Sequence, residues 1–220
     1  MGLFIPILLL GLLASVSPST IVVFILLLAT TRARVNAAAF LIGWCVSLVV
    51  VFTASYALGG VRASQHGSGR NAVDAVEILL GIALVALAGQ QWRRRDVPRT
   101  GSGVTKKFTG HLKKLNPWQA AIVGVLEQPW TLTAAVALLL IRHHSAVLVA
   151  FIALVVFTIV STATVGLIFL YYSRRPGDAE ARLFDLRDRV VRAGPVLFAV
   201  VSLLVGVFLV IDGILGIVRT

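Results

Sequence analysis

The sequence is short of charge. Only 13% of its 220 residues are Asp, Glu, Lys or Arg, while 58% are hydrophobic. Soluble domains are nearer a quarter charged and half apolar. A water-solvated globule is therefore excluded, and an integral membrane protein is expected. Acid is scarcer still: 9 acidic residues against 20 basic ones leave a net charge of +11. In a soluble chain that excess would point to nucleic acid. Here the basic residues cluster between apolar blocks, and no basic domain interleaved with aromatics is present. They read as orientation signals and as contacts to anionic lipid headgroups, with no nucleic-acid partner. Cys45 is the single cysteine. One thiol makes neither an internal disulfide nor a CxxC pair, and in an apolar block it reads as a packing residue. Of four histidines, His143 and His144 share a short connector without other clustered ligands, and His66 also lies in a connector. That arrangement supports neither a metal site nor a Ser/His pair inside the bilayer. No enzymatic activity and no cofactor is expected.

Apolar segments, by contrast, are abundant. A spanning helix needs about 20 predominantly apolar residues. Six segments qualify: Leu3 to Leu28, Val35 to Leu58, Ala72 to Trp92, Pro117 to Ile141, Ala146 to Tyr172, and Pro195 to Val218. Met1 to Leu13 has the look of a signal-peptide core. It has no Lys or Arg ahead of it and no small-residue cleavage site behind it, so it reads as the first half of a retained helix. The connector Arg93 to Lys114 is a basic linker of 22 residues. The stretch after Tyr172 begins as a turn and then becomes amphipathic. Leu183, Leu186 and Val190 share one face among Arg182, Arg187, Arg189 and Arg192, which predicts a short interfacial helix before the sixth span.

The basic residues are unevenly divided between the two sides. Connectors after spans one, three and five carry 16 Lys or Arg; the opposite side carries 4, at Arg62, Arg70, Arg142 and Arg219. The positive side stays in the cytoplasm. Both termini are thus expected outside a bacterial cytoplasmic membrane.

Two of the six spans carry an interior proline, Pro18 in "ASVSPSTIVV" and Pro129 in "GVLEQPWTLT". Superposing these prolines, an offset of 111, also aligns Thr20 with Thr131. The chain then divides into three spans and three spans, and an odd number per repeat inverts their orientation. The expectation is an all-α integral membrane protein of six transmembrane helices. It forms two inverted three-helix repeats, 1–92 and 117–220, joined by a basic cytoplasmic linker, 93–116. Helices one and four are broken at proline. Each proline lacks an N–H and frees the carbonyl four residues earlier, Ala14 or Val125. In hydrocarbon an unsatisfied polar group costs several kcal/mol, so nearby polar side chains must compensate. Ser15, Ser17, Ser19 and Thr20 are available at the first break, and Gln128, Thr131 and Thr133 at the second. Interrupted segments at corresponding places in two halves point to a transport site. The candidate site is Ala14, Ser17, Pro18 and Thr20 together with Val125, Glu127, Gln128, Pro129 and Thr131. Gly43-x3-Ser47 and Ser202-x3-Gly206 are small-x3-small pairs that permit close helix packing.

Glu127 lies halfway along span four. A charged residue at the centre of a spanning helix costs roughly 2.5–3.5 kcal/mol. No Lys or Arg occupies a helix middle to pair with it. Apolar surroundings favour the neutral acid. Glu127 reads either as a proton-coupling group or as a neutral carboxylic acid bonded to a neighbouring helix. Asp212 lies near the outer end of span six and reads as an interface residue. Asp74 and Glu77 open span three and suit the positive end of a helix dipole.

The run "ASVSPSTIVVFILLLATTRARVNAAAFLIGWCVSLVVVF" and the later "KKLNPWQAAIVGVLEQPWTLTAAVALLL" resemble the GAP/Sap family of glycolipid- and sulfolipid-addressing membrane proteins. The features that carry the resemblance are Ser17-Pro18, the exit Thr31-Arg32-Ala33-Arg34, and Ala39 to Trp44. The family is placed in the superfamily of the lysine exporter LysE. The resemblance implies a six-span inner-membrane protein of inverted repeats that moves something outward. For near relatives that is a lipid-linked envelope component, and for the wider superfamily amino acids or ions. Relatives usually show Asn-Pro at the second break, where this chain has Glu127-Gln128-Pro129-Trp130. The expected function is support of the export of a glycolipid or similar envelope amphiphile. Its alternatives are proton-coupled export of a small solute and a non-transporting accessory role in a lipid-export complex. The partners expected are membrane lipids, a larger lipid-export pump and a second copy of the chain.

Overall fold

The computed structural model describes residues 4–65, 69–93, 115–142, 145–174 and 176–218. Those residues are helical apart from short breaks. In chain order the helices are α1 (Phe4–Ser15), α2 (Pro18–Leu28), α3 (Ala33–Gln65), α4 (Gly69–Arg93), α5 (Pro117–Glu127), α6 (Trp130–Arg142), α7 (Val147–Arg174) and α8 (Pro176–Val218). Most of the basic linker, His66, His143, His144 and Arg219 lie outside the described residues. So do the side chains of Asp74, Glu77 and Asp212.

Among the described residues, Ala33–Leu58 and Val147–Arg174 are each long and apolar enough to cross a membrane. Three bent pairs pass the same test when each counts as one: α1 with α2, α5 with α6, and Asp185–Gly194 with Val196–Ile211. That makes up to five spans. The segment expected from Ala72 to Trp92 is helical within α4, and its apolar described stretch is Gly81–Gln90.

The helices are apolar on both faces, as a membrane span requires. On α7 the buried stripe is Ala150, Ala153, Phe157, Ser161, Val165 and Ile168, at helical spacing. Val147, Leu148, Phe151, Ile159 and Leu167 on the same helix face outward and are exposed. Hydroxyls inside such a helix find acceptors in its own backbone. Thr158 donates to the Leu154 carbonyl at 2.7 Å and Thr162 to the Thr158 carbonyl at 2.6 Å. The exposed apolar surface is matched to lipid, and the chain is a membrane protein.

The most extensive packing joins α4 to α8, α3 to α5 and α6, and α1 to α7. Glycine sets the closest approaches. A Cβ added to Gly43 would lie 2.1 Å from the Ala121 carbonyl oxygen, and one added to Gly124 would lie 2.2 Å from that of Phe40. A Cβ on Gly81 or Gly206 would lie 2.8 Å from the other's carbonyl oxygen. Both small-x3-small pairs therefore lie at close crossings, where backbones touch because no side chain separates them. Phe24, Phe40 and Trp44 form an aromatic cluster in the core, with ring centroids 5.3 and 6.0 Å apart.

Polar contacts tie helix ends together at two places. At one, Asn36, fully buried, donates to Thr30 Oγ1 at 2.9 Å and to the Leu115 carbonyl at 3.1 Å. Arg34 reaches the Ser173 carbonyl, in the last turn of α7, at 3.2 Å. Thr30, Leu115 and Ser173, from three distant parts of the chain, are thus tied to the start of α3. At the other, the Tyr56 hydroxyl meets the Ser145 carbonyl at 3.5 Å.

The amphipathic stretch expected before the sixth span is helical, and it runs on into the apolar segment without a gap. α8 runs unbroken from Pro176 to Val218 and bends by 47° between Gly194 and Val196. A proline at position 195 removes one backbone N–H from the helix, and sharp kinks are characteristic of interior prolines.

The candidate site between two helix breaks

Both interior prolines interrupt their helices. α1 and α2 meet at 48°, and α5 and α6 at 55°. Pro18 and Pro129 stand where the new half-helix begins: Pro18 is the first residue of α2, and Pro129 directly precedes α6. There the missing N–H is one the helix start would not use. The start of α5 is built by the same rule. Pro117 is its first residue, and the Asn116 amide donates to Gln119 Oε1 at 3.1 Å.

The two breaks lie side by side. Thr20, buried in the first turn of α2, donates from Oγ1 to Glu127 Oε2 at 3.4 Å. Glu127 is half-buried in the last turn of α5. It therefore sits at the negative end of its own helix dipole and beside the positive end of α2. Ser17 and Ser19 flank this contact, with their hydroxyls 3.2 Å apart. Ser17 and Pro18 are half-buried. Pro18 is covered by α8: a Cβ on Gly194 would approach the Pro18 ring to 3.0 Å.

At the second break Gln128 is buried and its amide nitrogen donates to Thr133 Oγ1. Its Oε1 is buried without a partner among the described residues. Two expectations change here. The Val125 carbonyl is not a free polar contact, because the Trp130 indole donates to it at 2.9 Å. Thr131 is exposed, and the hydroxyl that turns inward on α6 is Thr133. The aligned pair Thr20 and Thr131 thus differ in burial. The Ala14 carbonyl, left by Pro18 without its helical donor, belongs to a buried residue. Beside it the Ser15 hydroxyl bonds Thr164 Oγ1 of α7 at 2.7 Å.

Sequence reasoning missed Trp130, Thr164 and Gly194. Trp130 carries a readable signal: a donor-only side chain directly after the proline and five residues past the freed carbonyl. Thr164 and Gly194 come from distant helices, and only packing brings them to the breaks.

The paired break thus carries one carboxylate, a threonine donor and a buried amide oxygen without a partner among the described residues. The model for the family described as Sap, sulfolipid-1-addressing protein, matches residues 7–215. The chain belongs to that family. The match covers both helix breaks and all or most of every described helix. Searches of curated proteins and of solved structures each return no match. Membership in the Sap family gives this membrane protein a role in lipid export or addressing.

Proposed function

We propose that this chain carries out or supports outward movement of a glycolipid or other lipid-linked envelope component, in the manner of LysE-type exporters. The carrying observation is the Thr20–Glu127 hydrogen bond, which joins the two helix breaks across 107 positions of sequence. The Sap family match supports the cargo class. Glu127 is the protonatable group, and Gln128 Oε1 is the buried acceptor for a cargo hydroxyl.

The pattern of packing supports a six-span inverted repeat. Exchanging spans one, two and three for four, five and six turns the α1–α7 contact into the α5–α3 contact. The same exchange turns α2–α8 into α6–α4 and returns α4–α8 to itself; all these pairs are in contact. The basic excess supports a cytoplasmic linker and outward-facing termini in a bacterial inner membrane. Export of a small solute would use the same site.

The test uses the deletion strain, with the lipids that fail to reach its outer surface identified by mass spectrometry. Parent and Glu127→Gln are then compared for surface delivery of those lipids across a range of external pH. The amide keeps the shape and fixes the neutral state. Loss of delivery by a folded, inserted Glu127→Gln supports proton coupling. Parent-like delivery at every pH would leave Glu127 a packing residue and end that part of the proposal. Delivery by the purified chain alone in proteoliposomes separates a transporter from an accessory subunit.

A further inference from the structure

Away from the two breaks, α4 and α8 form a wedge. They run antiparallel and touch backbone to backbone at Gly81 and Gly206, where Val85 packs against Gly206. From that crossing toward the C-terminal end of α4 they diverge. A Cβ added to Gly89 meets nothing within 4 Å. Between them lies a cleft of about 330 Å³, lined by Val85, Gly89, Ala199 and Leu203, with Trp92 and Arg93 at its end. The volume falls in the usual range of small-molecule sites. The space exists because the lining residues are small: Ala88 and Ala199 are buried at its floor, while Leu203 and Trp92 are exposed at its rim. The register that sets Gly81 against Gly206 puts Arg93 opposite the bend at Gly194 and Val196.

We propose that this cleft is a binding site for one anionic phospholipid of the bilayer, with an acyl chain against Gly89 and Ala199 and the phosphate at Arg93. The apolar walls suit hydrocarbon, and Trp92 suits the interface, where aromatic side chains gather. The exposed guanidinium at the mouth is the charge complement of a phosphate. Basic pockets between helices on the cytoplasmic side hold anionic headgroups in this way. The proposal does not depend on export through the two breaks, and its readout is lipid retention rather than delivery.

The experiment is native mass spectrometry of the full chain. The purified protein is offered equal amounts of phosphatidylglycerol and phosphatidylcholine in mild detergent. The parent should retain phosphatidylglycerol in preference. Gly89→Leu starts from a Cβ position that meets nothing and projects into the cleft, so it should keep the parent's melting temperature and lose the bound lipid at least fivefold. Gly166→Leu is the control, since an added Cβ there also meets nothing within 4 Å; it should bind as the parent does. Arg93→Gln should cut the preference for the anionic lipid about fivefold, the worth of one basic residue near an anionic surface. Equal retention of both lipids by the parent, or full retention by Gly89→Leu, overturns the proposal. A parent dimer that Gly89→Leu dissociates, with no lipid bound, overturns it too and assigns the cleft to a second copy of the chain.

Discussion

Replacing Trp130 with Phe keeps the ring and removes the one N–H that reaches the Val125 carbonyl. A carbonyl left unsatisfied away from water costs about 1–3 kcal/mol. Thermal unfolding in detergent should register that loss as a lower midpoint, whereas Trp118→Phe should be neutral, because Trp118 is largely exposed at 76%. Thr20→Val removes the donor to Glu127 and keeps the shape. It should impair lipid delivery with little loss of folded protein, since the 3.4 Å bond is long and Glu127 is only half-buried. Parent-like delivery by Thr20→Val would separate the contact from the function. At this scale the sequence was readable where chemistry alone decides. A proline frees a carbonyl wherever it interrupts a helix, and a mid-span carboxylate needs a partner. It was unreadable where direction decides. Thr131 and Thr133 are identical residues two positions apart, and only the way α6 docks in the bundle determines which one is buried.

Among elements, the glycine crossings hold the tightest tolerances. An alanine at Gly43 or Gly124 would place a carbon 2.1 or 2.2 Å from a backbone oxygen, a clash that no rotamer relieves. Gly124→Ala should cost more than the ~1–3 kcal/mol typical of core overpacking. Gly89→Ala, in open space, should not destabilise the protein. Yield of monodisperse protein and its melting temperature would measure both. Gly43-x3-Ser47 announced a close crossing but not its partner, because the motif describes one helix surface only. Pro18, Pro129 and Pro195 make a similar comparison. The first two interrupt apolar runs and signal breaks. Pro195 follows a charged amphipathic stretch and signals the start of a span. The structure carries the helix straight into it and bends there, because a kinked helix keeps all but one of its hydrogen bonds and a terminated one loses several.

The largest contacts of the molecule run between residues before the basic linker and residues after it: α3 with α5 and α6, α1 with α7, α4 with α8. A chain cut within the linker, with both parts expressed together, should assemble a functional protein; either part alone should be degraded, as immunoblotting of membranes would show. Orientation belongs to this scale as well. In a Cys45→Ser background, Val104→Cys should react with a membrane-impermeant maleimide only after the membrane is opened. Labelling in intact cells would invert the topology argued from the basic residues.

The interlocking of α3 with α5 also bears on how the protein is made. Ribosomes deliver α3 more than 50 residues before α5 exists. Until then the groove at Gly43, which Ala121 fills in the finished protein, faces either lipid or a temporary partner. A nascent helix with an unfilled groove is a substrate for an insertase that shelters it, and for a membrane protease when synthesis stalls. Ribosome pausing inside the linker should therefore shorten the life of the half-made chain, and the close fit that holds the finished protein together makes its assembly intolerant of delay.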